Sequence, residues 1–433
     1  MQTVNGPESV TRREVFAWAM YDWANSAYST ILITILVSYL QEDAFPGKAG
    51  IVLYGWGIGL TMLISAVLLP VLGAIADAHT NKRQWLIGTA VGGAVCLILM
   101  GLIPTNQTWL IAAMFLLTNL CFEVSFCFYN GFLPELTDEE HMGRVSALGY
   151  ALGYLGGGLM LLLAILILMK GEAIGLPPDV VVRKRIVLAL TGFWWAIFTL
   201  PIVLVLHDRT SPVPRSQSLV ETSRHAIHEV LTTLRNVKNY RILALFLLAF
   251  LMYNDGVQTM ISQASVFAIQ VLEMQAAELG QVILMIQFIA LPAAFAVGWL
   301  GDRYGQKITL IGCLIVWTVI AVTAYFITTR LQFWLMAAFA AMVMGGTQTV
   351  SRAIMGLMTP RRHSAEFFGF FGLSGRATSM LGPIFFSTIL AGTGNPHLAI
   401  TSLVIFFAGG LFLMLLVDVA QGQAAALREN KNC

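Results

Sequence analysis

Charge is what this chain has least of. Lys and Arg total 25 and Asp and Glu 23 in 433 residues, so charged side chains make up 11%, about half the share usual in soluble globular proteins. That scarcity excludes an ordinary soluble domain, and the net charge of +2 gives no electrostatic footprint for a nucleic-acid partner. Cysteine is sparse as well. Cys96, Cys121, Cys127, Cys313 and Cys433 lie in apolar runs or at the extreme end, with neither disulfide nor metal spacing. A phosphate-binding glycine loop, a zinc pattern and a nucleophile motif are all missing. An ATP-driven pump, an intramembrane enzyme, a metal site and a resident cofactor are therefore not expected. A cleavable leader is not expected either: Met1 to Arg13 is polar, and the first apolar run is too long and lacks a small-residue cleavage site.

Apolar sequence is abundant instead. Hydrophobic residues reach 57% with a mean hydropathy of +0.76, and continuous apolar runs of about 20 residues recur, the length a hydrocarbon core requires. The runs are rich in Leu, Ile, Met and Phe and do not alternate, so the expected fold is an all-α membrane protein and not a barrel. Twelve spans are expected at 15–40, 52–76, 84–103, 108–134, 144–169, 186–206, 241–270, 277–300, 307–327, 332–357, 366–391 and 396–418. The longest polar segment separates the sixth from the seventh. The chain thus divides into a six-helix bundle at 1–206, a linker at 207–240 and a second six-helix bundle at 241–433. Within the linker, Ile227, Val230, Leu231, Leu234 and Val237 fall at helical spacing opposite Arg224, His228, Glu229, Arg235 and Lys238. That pattern predicts an amphipathic strap on the lipid surface. With the N-terminus inside, seventeen Lys and Arg fall in inner loops and tails against six outside, so both termini are placed in the cytoplasm. The outer cluster Arg183, Lys184 and Arg185 runs against this bias. Short tails and compact loops point to a bacterial inner membrane.

The two halves repeat. The loop after the second span reads GAIADAHTNKRQWLIG from Gly73, and the loop after the eighth reads GWLGDRYGQKITLIG from Gly298. Gly73 and Gly298, like Asp77 and Asp302, are 225 positions apart. MYDWANSAYS in the first span is echoed by MYNDGVQTMIS in the seventh, with Tyr21 and Tyr253 separated by 232. Such pairs in corresponding places argue for duplication.

The pattern G-x-x-x-D-R-x-G-x-K, complete in GWLGDRYGQK, resembles the signature loop of the major facilitator superfamily. YDWANSAYS with MYND further resembles the vacuole effluxer branch, whose fungal members are tied to autophagy and release amino acids from the vacuole. The resemblance implies twelve helices in two pseudo-symmetric bundles around a central pathway, and a gate built from the signature loops. Gly73, Asp77, Gly298, Asp302, Arg303, Gly305 and Lys307 are its gating candidates. Each loop Asp is placed to accept from helix N-terminal amides or to pair with a neighbouring cation; the alternative is a tight turn that only sets topology. The first copy departs from the pattern at Ala78 and lacks the glycine before Lys82, so equal charge contacts in both halves do not follow.

Ionisable groups inside spans are costly and mark candidate sites. They are Asp22, Glu123, Asp255, Arg352 and Arg376. Asp22, Asn25, Ser26 and Ser29 form one stripe at i, i+3, i+4 and i+7, and Asp255, Gln258, Thr259 and Ser262 repeat it. Asn119 shares a face with Glu123, and Gln348 and Ser351 group with Arg352. Tyr21, Tyr253 and Asn254 adjoin these stripes and complete the candidate substrate and proton pathway. Glu123 is expected to pair with Arg352 or Arg376, or to be protonated part of the time. The functional expectation is a secondary transporter, monomeric in the lipid bilayer, moving a small organic solute by proton-coupled export. Amino-acid-like chemistry is implied by the resemblance alone. A broad exporter of amphipathic compounds and a non-transporting ligand sensor are the alternatives.

Overall fold

The computed structural model describes residues 10–79, 81–209, 240–377 and 381–431, and nearly all of them are helical. The expected linker strap at 224–238 lies outside the described residues. In chain order the long helices are α1 (Arg12–Ile31), α2 (Lys48–His79), α3 (Lys82–Leu102), α4 (Thr108–Gly131), α5 (Met142–Lys170), α6 (Val180–Val205), α7 (Arg241–Leu272), α8 (Ala276–Tyr304), α9 (Gln306–Thr323) and α10 (Arg330–Leu357). They are followed by α11 (Ser364–Ala377), α12 (Leu381–Thr393), α13 (Pro396–Thr401), α14 (Val404–Leu416) and α15 (Val419–Lys431).

Among the described residues, ten helical segments are long and apolar enough to cross a membrane. The first expected span is helical as well, and irregular at its far end. The first starts earlier than hydropathy indicated, because Thr11 and Glu14 form a reciprocal N-terminal cap that fixes the helix start at Arg12. It also runs past Leu40, since its far end widens into π-helical turns over Leu32–Leu36 and Tyr39–Ala44. The eleventh is described as α11 and α12, on either side of residues 378–380, which lie outside the described residues.

The protein is an all-α bundle of two pseudo-symmetric six-helix halves. In the first, α1 packs on α5 and α6, and α3 on α4 and α6; in the second, α7 packs on α14 and α10 on α8 and α9. The most extensive helix contacts between the halves are α2 with α11 and α5 with α8, and α5 with α10 and α4 with α11 add to them. The start of α1 and the helix α15 lie at one end of the bundle, called here the terminal face. Glycine makes the α1–α5 approach possible. A Cβ at Gly156 would overlap the Trp23 backbone, and one at Gly153 would sit 2.7 Å from Ser26 Oγ.

The structure accounts for the outer basic cluster. Arg183 donates to the carbonyls of Leu168 (3.0 Å) and Pro178 (2.6 Å) around the end of α5, and Arg185 donates to Gly101 and Leu102 at the end of α3. Lys184 pairs with Glu42 at 2.9 Å and Asp43 at 2.7 Å. All three cations therefore satisfy helix C-termini or carboxylates, which favour positive charge wherever they lie. Local structure outweighs the topological bias here.

Gly156→Val is expected to lower the stability of the purified protein by about 1–3 kcal/mol through overpacking, seen as a lower thermal unfolding midpoint. Gly312→Ala, where the added Cβ meets open space, is expected to leave the midpoint unchanged.

Candidate functional site

The polar stripe of α1 meets the second half at a single guanidinium. Arg352 is fully buried in α10, five residues before the helix ends and so about 8 Å along the axis from the terminal face. Its Nη1 lies 3.1 Å from Asp22 Oδ2 and 3.2 Å from Asn130 Oδ1, and its Nε donates to Ser146 Oγ at 3.0 Å. Nη2 donates to the Ser146 carbonyl. Tyr129 donates to the same Asp22 oxygen at 2.9 Å, and the guanidinium lies 3.9 Å from the centre of the Tyr150 ring. One cation of the second half is thus held by α1, α4 and α5 of the first. Arg352 pairs with Asp22. Removing one partner of such a buried pair typically costs about 3–5 kcal/mol, because the other charge is stranded.

A second set of contacts closes the terminal face. Asp302, at the end of α8, accepts from the Gly143 amide at 2.8 Å and the Arg144 amide at 3.0 Å, both at the start of α5. Asp77, at the end of α2, accepts from the Glu366 amide at 2.9 Å, at the start of α11. Each signature-loop carboxylate therefore caps a helix N-terminus of the opposite half, where the orphan amides and the helix dipole favour an anion. The two clamps differ in their cations. Lys82 is fully buried, 3.5 Å from Asp77 and bonded to Glu135 and Ser364. In the second clamp the half-exposed Arg144 lies 3.5 Å from Asp302. The departure in the first loop copy is therefore compensated by a buried lysine.

Glycine lets the halves approach this closely. A Cβ at Gly73 would overlap the Ala365 backbone, and one at Gly298 would meet Ala147 Cβ at 2.5 Å. Gly305 has φ +97° and ends α8, a conformation available to glycine at little cost. Lys307 ties α9 to the end of α14 through the Leu415 carbonyl at 2.9 Å. Arg303 stays out of the clamp: it is exposed and stacks on Trp299 and Tyr304.

The remaining candidates disperse. Tyr21 tilts against Tyr129, Ser29 donates to the Ser26 carbonyl at 3.1 Å, and the buried Asn25 amide has no hydrogen-bond partner among the described residues. Asn119 is bonded to Thr61 and Tyr28 within the first half, and Glu123 is buried in the same helix. In the second half, Tyr253 and Ser351 are 2.7 Å apart and Asn254 donates to the Gly375 carbonyl at 3.2 Å. Asp255 is buried and faces the backbone of Gly382 of α12, and Gln258 is half-buried. Gln348 reaches the first half, accepting from Tyr154 at 2.7 Å. The side chain of Arg376 lies outside the described residues. Ser146, Glu135 and Ser364 were missed by sequence reasoning, since short polar residues at span ends carry no signal of their own. Gln287, which donates to Thr30 across the halves at 2.8 Å, was missed because one amide in a span is common.

This fold defines a membrane transporter of the major facilitator class. Solved structures of that class superpose along the chain: the proton:xylose symporter XylE with a TM-score of 0.70 (11% identity, 93% of this chain and 94% of that one), and the human organic anion transporter MFSD10 with 0.68 (13% identity, 93% and 99%). Residues 46–427 match the family described as "Vacuole effluxer Atg22 like", and the chain belongs to that family. Similar relatives include an uncharacterized MFS-type transporter, YxiO, of Bacillus subtilis, 30% identical over 94% of this chain and 96% of its own length. Another is autophagy-related protein 22-1 of Neosartorya fischeri, 22% identical over 98% and 83%. The chain is accordingly a transporter and not an enzyme.

Cys127 offers a built-in reporter of the gate, being buried with its Sγ 3.6 Å from the Ala365 carbonyl. With the other cysteines replaced by Ser, Asp77→Asn is expected to speed maleimide labelling of Cys127 about tenfold, the weight of a clamp worth ~1.4 kcal/mol. Labelling at the parent rate would show that Asp77 does not hold the face closed.

Proposed function

We propose that the protein exports a small organic solute, amino-acid-like in chemistry, in exchange for protons by alternating access. Residues 1–206 and 241–433 rock against each other, and 207–240 join them. The terminal face is cytoplasmic in this reading, as the loop count of Lys and Arg supports. The word effluxer in the family description supports export.

The observation that carries the proposal is the Asp22–Arg352 pair. It spans the two halves close to the terminal face, so opening that face separates its members. Protonation of Asp22 removes the charge that holds Arg352, and the clamps then have only their own contacts to overcome. Ser26 and Ser29 continue along the same side of α1 away from that face, half-buried where Asp22 is buried, and they supply hydroxyls by which a proton reaches Asp22 from outside. Once the face opens, the proton leaves inward, solute loads, and the ion pair re-forms as the face closes. Asp22 then takes the coupling role, with Glu123 a neighbour within the first half.

In proteoliposomes, one proton per turnover under a one-unit pH gradient supports up to about tenfold solute accumulation. Asp22→Asn is expected to abolish accumulation while leaving downhill exchange, whereas Glu123→Gln keeps the gradient dependence. Accumulation that survives in Asp22→Asn overturns the coupling assignment, and no flux of any solute across an amino-acid and metabolite panel overturns the transport reading.

A further inference from the structure

The gate and the ion pair leave one element without a role. After α14 the chain turns at Asp418, whose Oδ1 caps the Gln421 amide at 3.0 Å, and α15 then lies across the terminal face. Gly422 seats it: a Cβ there would lie 2.6 Å from Met358 Sδ and 3.3 Å from Ile242 Cγ2. Farther along, Asn430 accepts from the Arg361 amide at 3.0 Å. These contacts belong to the second half. One does not, because Gln423 donates to Glu139, in the turn before α5 of the first half. The helix therefore bridges the seam that must part when the face opens.

His363 connects this helix to the first clamp. Its Nδ1 lies 3.5 Å from Glu366 Oε2, and its Nε2 lies 3.9 Å from Glu429 Oε1 on α15. Glu366 is the residue whose amide is held by Asp77. The imidazole faces Glu366 on α11, Glu429 on α15 and Asp77 on α2, all of them acidic. The Tyr240 phenol before α7 approaches the same two glutamates. The cations nearby are Arg361 and Arg362 in the same turn, Arg428 and Lys431 on α15, and Lys82, which is committed to Asp77 and Glu135. A protonated imidazole is a cation paired with the gate side and the helix side at once; a neutral one loses the charge that attracts both.

We propose that α15 is a pH-sensitive strap, tied to the clamp through protonated His363, that holds the terminal face shut. The proposal rests on the reading that this face opens during transport. The Glu366 carboxylate, with Asp77 and Glu429, raises the imidazole's ionisation above its ordinary value of 6.5. Docking is therefore complete below that value and is lost as pH rises through the raised one. With the face in the cytoplasm, each turnover of export brings in protons, and acidification tightens the strap. The strap is then a brake on the gradient's own consumption.

Hydrogen exchange of residues 419–431 in the full-length protein reads docking, and solute flux at terminal-face pH 6 and 8 reads the gate. In the wild type, exchange corrected for its intrinsic rate is expected to be about threefold slower at pH 6, the scale of a partly exposed ion pair, with flux slower by a similar factor. His363→Gln is expected to flatten both responses, and a chain ending at Asp418 to give flux without that pH dependence. A wild-type response in His363→Gln overturns the role of the imidazole. Exchange that follows pH while truncation leaves the pH dependence of flux intact overturns the strap as a brake. Absence of flux in every variant counts against the transport reading, and in that case equal exchange at the two pH values overturns the strap independently.

Discussion

A guanidinium fully buried inside a membrane bundle has to be satisfied completely or not be there at all. Among the described residues Arg352 is satisfied by the other half of the molecule: Asp22 from α1, Asn130 from α4, and the hydroxyl and carbonyl of Ser146 from α5. Tyr129 and Tyr150 close over it. The arrangement makes the closed terminal face a property of both halves together. It also fixes what an opening transition must do, because a charge cannot be withdrawn from such a nest without a substitute for its partner.

The loop clamps follow the same logic at the surface of the bundle. A duplicated chain puts Asp77 and Asp302 at equivalent helix ends, and pseudo-symmetry aims each at a helix N-terminus of the opposite half. Helix amides are a good choice of partner, because their geometry is set by the backbone and survives drift in side-chain identity. The cations around them differ: Lys82 is buried with Glu135 and Ser364, whereas Arg144 lies at the surface. Close backbone approach is the shared condition, and Gly73 and Gly298 provide it in the two most extensive helix pairs between the halves. The C-terminal helix adds contacts of a weaker kind, through Gln423 and His363, where solvent and pH can reach them.

Much of this was legible in the residues and some was not, for identifiable reasons. Membrane class, halves and candidate charges could be read because hydrocarbon penalises polarity so heavily that each exception stands out. The stripe Asp22, Asn25, Ser26 and Ser29 was visible because helical spacing is local. That Asp22 meets Arg352 was not, since 330 positions separate them and no periodicity carries pairing. The signature loops announced Asp77 and Asp302, yet Arg303 in the same motif points to aromatic rings and exposed surface, because a motif fixes the backbone turn more tightly than each side chain. The π-helical end of the first span was invisible to hydropathy, which measures composition and not hydrogen-bond register. The outer Arg183, Lys184 and Arg185 ran against the charge bias until the helix ends and carboxylates they satisfy could be seen.

The account stands on the claim that the Arg352 nest holds the two halves together at the terminal face. Spin labels at Glu140 and Arg361, both exposed on that face and on opposite halves, measure the separation directly by pulsed electron resonance. The account predicts a single short distance in the parent protein and a second, longer population when Arg352→Gln is introduced. An unchanged distance distribution in Arg352→Gln would contradict it.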